Sequence, residues 1–318
     1  MKTTFVLGAG FSVEERFPLV RGLKRRVIHF LEAEQHESYF ADLRIRDGWP
    51  EFSDGLFYLG LKCVDPEDRL EFEELLIALS RATNQDHTSV ANEVLRIGVA
   101  RLLWCITFFI HRASAPYENF AYQIASNSDG AAVVSFNWDI LVERALTQVN
   151  RPWSYAAGDA PTCTPVIKPH GSINWSSFAQ DPGMSPLYSA WRPIAPGSTL
   201  SFDAAHPLGN PDFEEANPHL RYCLFPGDPD LPGSHPDLAR LWADVAQLVT
   251  DSDKVVFIGY SLPAYDQFAR AELQRLCTSR IVEVIDPCSD ALAAFQSQIP
   301  HAIAIRQTFG SCQYAQKA

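Results

Sequence analysis

The feature that most constrains the fold is a set of four short apolar runs, rich in β-branched residues and bounded by turn-forming residues. They are Thr3 to Leu7, Ala131 to Phe136, Lys254 to Ile258 and Arg280 to Ile285. Runs that are apolar throughout are typical of parallel strands that are buried on both faces. A weaker fifth run covers Ala302 to Ile305. The sequence therefore predicts the strands of a parallel sheet.

A helical pattern follows each of the four main runs. These patterns cover Pro18 to Glu34, Ile140 to Val149, Tyr265 to Cys277 and Ser289 to Gln298. Strands that alternate with amphipathic helices indicate an α/β fold, because the helices cover the two faces of the sheet. We therefore predict a Rossmann-like, doubly wound parallel sheet.

Two stretches depart from this alternation. Between Asp65 and Ser126 the chain has helical periodicity and no clear strand, which predicts an all-α insertion. Between Phe178 and Pro236 the composition shifts to Pro, Gly, Ser and Asp, which predicts a long Pro-rich loop over the edge of the sheet. We therefore predict one Rossmann-like domain and one small helical domain, formed by residues 1–64 with 127–318 and by residues 65–126, respectively.

The composition is that of an ordered globular protein with an acidic surface. Of the 318 residues, 47% are hydrophobic and 20% are charged, which suffices for a large core. The 26 Lys and Arg against 38 Asp and Glu give a net charge of -12, which disfavours direct nucleic-acid binding because phosphate backbones are repelled. The longest apolar stretch, Val94 to Ile110, is too short for a membrane span and predicts a buried or partner-facing helix.

The cysteines and the first residues indicate the compartment. The seven cysteines are scattered and include no Cys-x-x-Cys pair, which argues against a disulfide framework and against a structural zinc site. The segment from Met1 to Gly8 has too short an apolar run for a secretory signal. We therefore expect a soluble protein of the reducing cytoplasm that binds no metal and no membrane.

The first predicted strand runs into a glycine-rich turn that comprises Gly8, Ala9, Gly10, Phe11 and Ser12. Glycines at such a turn let the backbone approach a pyrophosphate, and the amides at the start of the next helix favour an anion. A tight strand-to-helix turn without a ligand is the alternative, and a short Gly-x-Gly does not by itself decide between them.

The second predicted strand ends at Asn137, Trp138 and Asp139. In an open α/β sheet ligands bind beyond the carboxyl ends of the strands, where these polar side chains lie. Asn137 offers a donor and an acceptor for a carboxamide or a ribose hydroxyl, and Asp139 can accept from an amide NH2. Either side chain could instead cap the helix that follows.

His170 lies in a third motif, Lys168-Pro169-His170-Gly171-Ser172. A histidine at a strand end beside a glycine can approach a sugar hydroxyl and take its proton near neutral pH. The alternative is a histidine with a structural hydrogen bond. The neighbouring motif residues favour the functional interpretation.

The fourth motif follows the third predicted strand and contains Gly259 and Ser261. A buried strand that opens into glycine and serine before a helix is suited to contact a ribose or a phosphate. One strand later, Asp286 places a carboxylate where a ribose diol could be bound. Turn formation and helix capping are the alternatives for both positions.

Taken in order, these four motifs resemble the sirtuin family, and more closely its prokaryotic, defence-associated NAD-hydrolysing branch than the protein deacylases. The resemblance covers Gly8 to Leu23, Val133 to Leu146, Ile167 to Trp175 and Val255 to Asp286. It implies NAD+ as the substrate. It also implies Asn137 and His170 as catalytic residues and a set of NAD-binding residues: Gly8, Ala9, Gly10, Ser12, Asp139, Gly259, Ser261 and, more loosely, Asp286.

The resemblance also limits the reaction. The deacylases carry a four-cysteine zinc module beside their peptide cleft, and this sequence has no such cysteines. We therefore expect hydrolysis of the nicotinamide-ribose bond to nicotinamide and ADP-ribose, by a regulated effector of prokaryotic anti-phage defence. Control by homo-oligomerisation or by a co-encoded partner protein is implied. ADP-ribosyl transfer, protein deacylation and NAD or ADP-ribose binding without turnover remain open.

Overall fold

The computed structural model describes residues 1–19, 22–36, 54–82, 86–109, 112–157, 163–178, 199–202, 221–223 and 236–317. Its strands are β1 (Thr3–Leu7), β2 (Ala131–Ser135), β3 (Trp153–Ser154), β4 (Thr164–Ile167), β5 (Gly171–Phe178), β6 (Thr199–Phe202), β7 (Arg221–Cys223), β8 (Lys254–Ile258), β9 (Ile281–Ile285) and β10 (Ile303–Ile305). Its α-helices are α1 (Leu23–His36), α2 (Asp54–Val64), α3 (Phe72–Arg81), α4 (Asp86–Phe109), α5 (Ala115–Ser126), α6 (Leu141–Gln148), α7 (Pro236–Thr250), α8 (Gln267–Cys277) and α9 (Ser289–Gln298).

Seven strands form one parallel sheet in the order β10-β9-β8-β1-β2-β4-β3. The central strand β1 pairs with β2 on one side and β8 on the other, so that Val6 lies between Val134 and Phe257. All three of these side chains are fully buried. A strand without exposed faces must be apolar throughout, which is why the runs show no alternation. The predicted α/β class with a doubly wound parallel sheet is confirmed.

The strand order reverses at β1. The chain adds β2, β3 and β4 on one side of β1 and then returns to place β8, β9 and β10 on the other side. The crevice at such a switch point, beyond the carboxyl ends of the strands, is where open α/β sheets bind ligands. In this protein the segments that follow β1, β2 and β8 lie at that edge of the sheet.

The helical stretch before β2 packs into the same core as the sheet. Leu75 of α3 and Leu95 of α4 are fully buried and belong to one hydrophobic cluster with Val6 and Val134. In the apolar helix α4, the buried side chains include Val94, Leu95, Val99 and Leu103. The division of the chain into a Rossmann-like and a helical domain stays a prediction. No helix within the described ranges is long and apolar enough to cross a membrane.

Several elements differ from the sequence prediction. The strand β4 was not predicted, because Pro165 within it argues against a strand that pairs on both sides. The stretch from Phe178 to Pro236 was predicted as one long loop, yet β6 and β7 lie in it and pair antiparallel with β5. Both are short, and their pairing partner is distant in the chain, so local periodicity does not show them. The rest of that stretch, residues 179–198, 203–220 and 224–235, lies outside the described residues.

Candidate active site

The glycine turn after β1 packs directly against the turn after β8. The Gly10 N–H donates to the Gly259 carbonyl at 3.1 Å, and the Gly8 N–H donates to the Ile258 carbonyl at 3.0 Å. A Cβ on Gly259 would lie 2.4 Å from the Cα of Gly10, and a Cβ on Gly8 would lie 2.5 Å from the Gly259 carbonyl oxygen. Gly259 also has a positive φ of 61°. The close contact between the two turns therefore already requires glycine at these positions.

Most of the amides of the first turn already donate to carbonyls of the protein. Besides Gly8 and Gly10, the Phe11 N–H donates to the Gly8 carbonyl and the Ser12 N–H donates to the Ala9 carbonyl. Among the described contacts, the Ala9 N–H is the amide of this turn without a hydrogen bond to the protein. An anion at the turn would therefore meet the Ala9 amide rather than a full ring of amides.

Asn137, Ser12 and Asp139 form one buried hydrogen-bonded network. The Asn137 Nδ2 donates to the Gly8 carbonyl at 2.9 Å and to the Ser12 Oγ at 3.0 Å. The Ser12 hydroxyl donates to the Asp139 Oδ2 at 2.8 Å, and the Asp139 Oδ1 accepts from the Leu141 N–H at 3.0 Å. Asp139 thus holds the start of α6, and the Ser12 hydroxyl is engaged in hydrogen bonds with Asn137 and Asp139. Within the described contacts the Asn137 Oδ1 accepts no hydrogen bond, which leaves it as the group for a ligand.

His170 is held by a carboxylate from a different strand end. Its Nε2 lies 3.0 Å from the Oδ2 of Asp266, which also accepts a hydrogen bond of 3.0 Å from the Tyr260 hydroxyl. The His170 side chain is 18% exposed and that of Asp266 is 9% exposed, so the imidazole can meet a ligand while its partner is covered. In the neutral imidazole with Nε2–H directed at Asp266, the Nδ1 is the proton acceptor.

The charge of Asp266 is stabilised by these contacts. Burial alone would raise its pKa, but the charge of His170 and the hydrogen bonds from His170 and Tyr260 outweigh the burial and hold the pKa below its usual range. Burial and the adjacent Asp266 carboxylate raise the pKa of Tyr260 well above its usual value, so Tyr260 stays a hydrogen-bond donor. The pair of His170 with Asp266 therefore has the form of an oriented acid-base pair.

An aromatic side chain connects this pair with Asn137. The Phe136 ring, directly before Asn137, stacks on the Tyr260 ring at 4.3 Å and meets the His170 ring edge-on at 4.9 Å. Phe136 thereby covers one side of the imidazole and excludes water from it. Side chains that follow β2, β4 and β8 thus meet at the carboxyl edge of the sheet.

A carboxylate from the helical stretch reaches the same place. Glu73 lies in the first turn of α3, and its charge acts on Asp266 and His170. Burial raises the pKa of Glu73 to about 7, with the Asp266 carboxylate acting in the same direction and the Tyr265 hydroxyl and His170 acting against it. A group with this pKa changes its charge near neutral pH.

Two predicted site residues lie further along the carboxyl edge. Ser261 is exposed after β8. Asp286 follows β9, is partly buried, and accepts a hydrogen bond of 2.8 Å from the Cys288 N–H. Their roles toward a ligand stay predictions, and the turn contact of Asp286 agrees with the capping alternative.

The sequence did not single out Asp266, Tyr260 or Glu73. Asp266 and Tyr260 stand in the fourth motif, where a carboxylate shortly after a strand end was a usable signal. Glu73 carried no signal, because acidic residues in the first turn of a helix are ordinary and its neighbours Glu71 and Glu74 form a capping box.

In the described part of the chain, no group of three or more His, Cys, Asp or Glu side chains could hold a metal ion.

The fold and site together define an α/β protein with a doubly wound sheet and a histidine-carboxylate pair at its switch point. No protein-family model matches the chain, and no curated protein matches its sequence. Among solved structures, the chain is similar to a Sir2 homolog-NAD complex, with 17% identity, a TM-score of 0.45, and coverage of 97% of this chain and 85% of that one. It is also similar to a Sir2-p53 peptide-NAD+ structure, with 14% identity, a TM-score of 0.41, and coverage of 96% and 88%. The α/β class rests on the sheet itself.

Proposed function

We propose that this chain binds NAD+ at the switch point and hydrolyses its nicotinamide-ribose bond, which gives nicotinamide and ADP-ribose. The observation that carries the proposal is the pair of His170 with Asp266, which packs against Phe136, the residue before Asn137, at the carboxyl edge of the sheet. A partly exposed base with a buried carboxylate partner is the equipment for taking a proton from water or from a ribose hydroxyl. The resemblance of the four motifs to the sirtuins supplies NAD+ as the substrate class.

In the proposed reaction, the bond between the ribose C1′ and the nicotinamide nitrogen breaks, and its electron pair goes to that nitrogen. The pyridinium thereby becomes neutral nicotinamide, and positive charge develops on the ribose. Water adds to C1′, and its proton passes to the Nδ1 of His170 and then to solvent. The buried Asp266 carboxylate stabilises the imidazolium that forms, and this electrostatic help is available without reorganisation.

Asn137 and Asp139 have separate roles in this proposal. The Asn137 amide group is anchored by its Nδ2 to Gly8 and Ser12, which directs its Oδ1 toward a ribose hydroxyl or the attacking water. Asp139 keeps this network in place. Each of its oxygens also retains a lone pair that can accept from the carboxamide NH2 of NAD+.

The remaining NAD-binding residues follow the carboxyl edge. We place the phosphates near Gly8, Ala9 and Gly10, with the Ala9 N–H as donor, and the adenosine half near Gly259, Ser261 and Asp286. Ser12 contributes through Asn137 and Asp139.

The test is release of nicotinamide by purified protein. Replacing His170 with Ala is expected to abolish release while the protein still binds NAD+ in calorimetry. The matched control is His29→Ala, because His29 is an exposed histidine on α1. Asn137→Ala is expected to abolish release as well, with circular dichroism to show that the fold persists. Unchanged turnover in both His170→Ala and Asn137→Ala would contradict the proposal.

Product analysis distinguishes the alternative reactions. Free ADP-ribose in equal amount to nicotinamide indicates hydrolysis, whereas ADP-ribose attached to an added protein indicates transfer. Binding of NAD+ without nicotinamide release would indicate a binding subunit.

The resemblance also supports a role as a regulated effector of prokaryotic anti-phage defence in the cytoplasm, because uncontrolled destruction of NAD+ would harm the cell. We propose control by self-assembly or by a co-encoded partner. Addition of the co-encoded neighbours to the assay tests this, and turnover that is the same with and without them and at every protein concentration would contradict it.

A further inference from the structure

His170 stands in a tight turn between β4 and β5. The Gly171 N–H donates to the Lys168 carbonyl at 3.0 Å, and Gly171 has a positive φ of 79°, which glycine adopts without strain. Lys168 begins this turn, and Ser172 follows it. The side chains of Lys168 and Ser172 are fully buried, whereas that of His170 is partly exposed. The turn therefore carries the imidazole between two buried ends.

Both ends of the turn are bonded to the backbone of Trp138 and Asp139. The Lys168 Nζ donates to the Asp139 carbonyl and, at 2.7 Å, to the Ser172 Oγ. The Ser172 hydroxyl donates to the Trp138 carbonyl at 3.3 Å, and this carbonyl also accepts from the Ile173 N–H at 2.9 Å. We call these contacts the turn clamp. They join the histidine turn to the segment that follows β2.

The charge of Lys168 is compensated within the protein. Its Nζ lies 3.0 Å from the Glu143 Oε1, which also accepts a hydrogen bond of 3.0 Å from the Tyr155 hydroxyl. With acceptors at Asp139, Glu143 and Ser172, all three N–H groups of the ammonium are used. Lys168 therefore has no donor left for a ligand and acts on the site through the turn.

The pairing of the two parallel strands ends before it reaches the predicted catalytic residues. The last paired residues of β2 and β4 are Val134 and Ile167. Asn137 and His170 each stand three residues further along the chain. The sheet thus brings both segments to one edge, but its ladder does not fix the two side chains relative to each other.

We propose that Lys168 and Ser172 are positioning residues for the reaction, and that the turn clamp sets the distance between His170 and Asn137. This inference rests on the proposed function for its catalytic meaning. Its geometric part stands independently, because it concerns only how the histidine turn lies against the segment that follows β2.

The contact of His170 with Phe136 reports this arrangement without any turnover. Phe136 directly precedes Asn137, and its ring meets the His170 ring edge-on at 4.9 Å. An aromatic ring at this distance shifts the NMR signals of the protons beside it. The ring-proton signals of His170 therefore measure the position of the turn against the segment that carries Asn137.

The first experiment records these signals in two clamp variants, Ser172→Ala and the double variant Lys168→Met with Glu143→Leu, which leaves no buried charge unpaired. The signals are assigned by their loss in His170→Gln, and Phe136→Leu gives the shift without the aromatic neighbour. In both clamp variants the signals are expected to move toward the Phe136→Leu values. Signals that stay at the wild-type values would overturn the proposal. If one clamp variant fails to fold, the other decides.

The second experiment measures nicotinamide release by Ser172→Ala. Because a displacement of about 1 Å can cost about 10²-fold in rate, kcat should fall by about 10- to 100-fold, with the KM for NAD+ changed by less than about threefold. Ser252→Ala is the matched control. Ser252 is a buried serine before β8, at the amino end of the sheet, and its hydroxyl contacts the Thr4 Oγ1 and donates to the Leu248 carbonyl. This control should lose similar stability and keep its kcat.

The two serine variants separate positioning from stability. An equal fall of kcat in both would assign the effect to lost stability and overturn the proposal, and so would an unchanged kcat in Ser172→Ala. If the wild type releases no nicotinamide, the proposed function fails, and the ring-proton signals of His170 still decide whether the clamp positions the turn.

Discussion

Lys168 and Glu143 form an ion pair with no exposed side-chain surface: the Lys168 Nζ lies 3.0 Å from the Glu143 Oε1. The same Nζ donates to the Ser172 Oγ at 2.7 Å and to the Asp139 carbonyl. Lys168 follows β4 shortly before His170, whereas Glu143 and Asp139 belong to the segment that follows β2. The pair therefore ties the turn that carries His170 to the segment that carries Asn137.

Replacing Lys168 with Met is expected to destabilise the protein by about 3 to 5 kcal/mol, because the buried Glu143 carboxylate would lose its positively charged partner and keep only the hydrogen bond from the Tyr155 hydroxyl. Denaturant unfolding measures this. The double variant Lys168→Met with Glu143→Leu should lose less, since no charge is then buried. Lys2→Met is the control, with a side chain that is 37% exposed and paired with Asp251 at 3.6 Å, and should change stability by less than about 1 kcal/mol. A Lys168 variant as stable as the control would refute the structural role of the pair.

Replacing Gly259 with Ala is expected to disrupt the site, because the new Cβ would lie 2.4 Å from Gly10 in a backbone with φ of 61°. Gly22→Ala separates strain from collision, since Gly22 has φ of 82° but an added Cβ there would meet no atom within 4 Å. We expect a loss of about 1 to 2 kcal/mol for Gly22→Ala from backbone strain and a larger loss for Gly259→Ala. Thermal unfolding measures both. Equal losses would show that the contact between the turns is not required.

Replacing Asp266 with Asn should lower kcat for nicotinamide release by about 10²- to 10⁴-fold, because the imidazole loses its charged partner. The Kd for NAD+, measured by calorimetry, should change little. The control is Asp251→Asn, since Asp251 lies at the amino end of β8, opposite the site, with its side chain 48% exposed. A variant with normal kcat would leave Asp266 only the role of holding the His170 and Tyr260 side chains in place.

Replacing Glu73 with Gln should stabilise the protein at high pH and not at low pH. The folded-state pKa of Glu73 is raised from 4.5 to about 7, so its favourable contribution is complete below pH 4.5 and is lost as the pH rises through about 7. Because Glu73 is partly exposed, we expect the variant to exceed the wild type in free energy of unfolding by only about 1 kcal/mol at high pH. This difference corresponds to about 2 to 4 °C in Tm. Thermal scans at pH 4.5 and pH 8 measure it, and a Tm difference that is independent of pH would contradict the assignment.

Much of the sheet could be predicted from local sequence. The bounds of β1 and β8 are those predicted, because a strand buried on both faces must be apolar along its whole length. The place of the site was predictable for a related reason. Carboxyl ends of parallel strands share one edge, so polar residues that follow the strands, such as Asn137 and His170, are brought together.

Tertiary structure alone decided which groups act on these two residues. The partner of His170 is Asp266, and Glu73 joins them from a helix distant in the chain, yet each residue is locally indistinguishable from a helix-start acid. Likewise, the amide of Asn137 is directed by Gly8 and Ser12, which no periodicity relates to it. Sequence pattern determines the local element and its buried face, because periodicity is a local property. Hydrogen bonds and charge coupling depend on distances of a few Å between distant segments, and only the packed fold sets those distances.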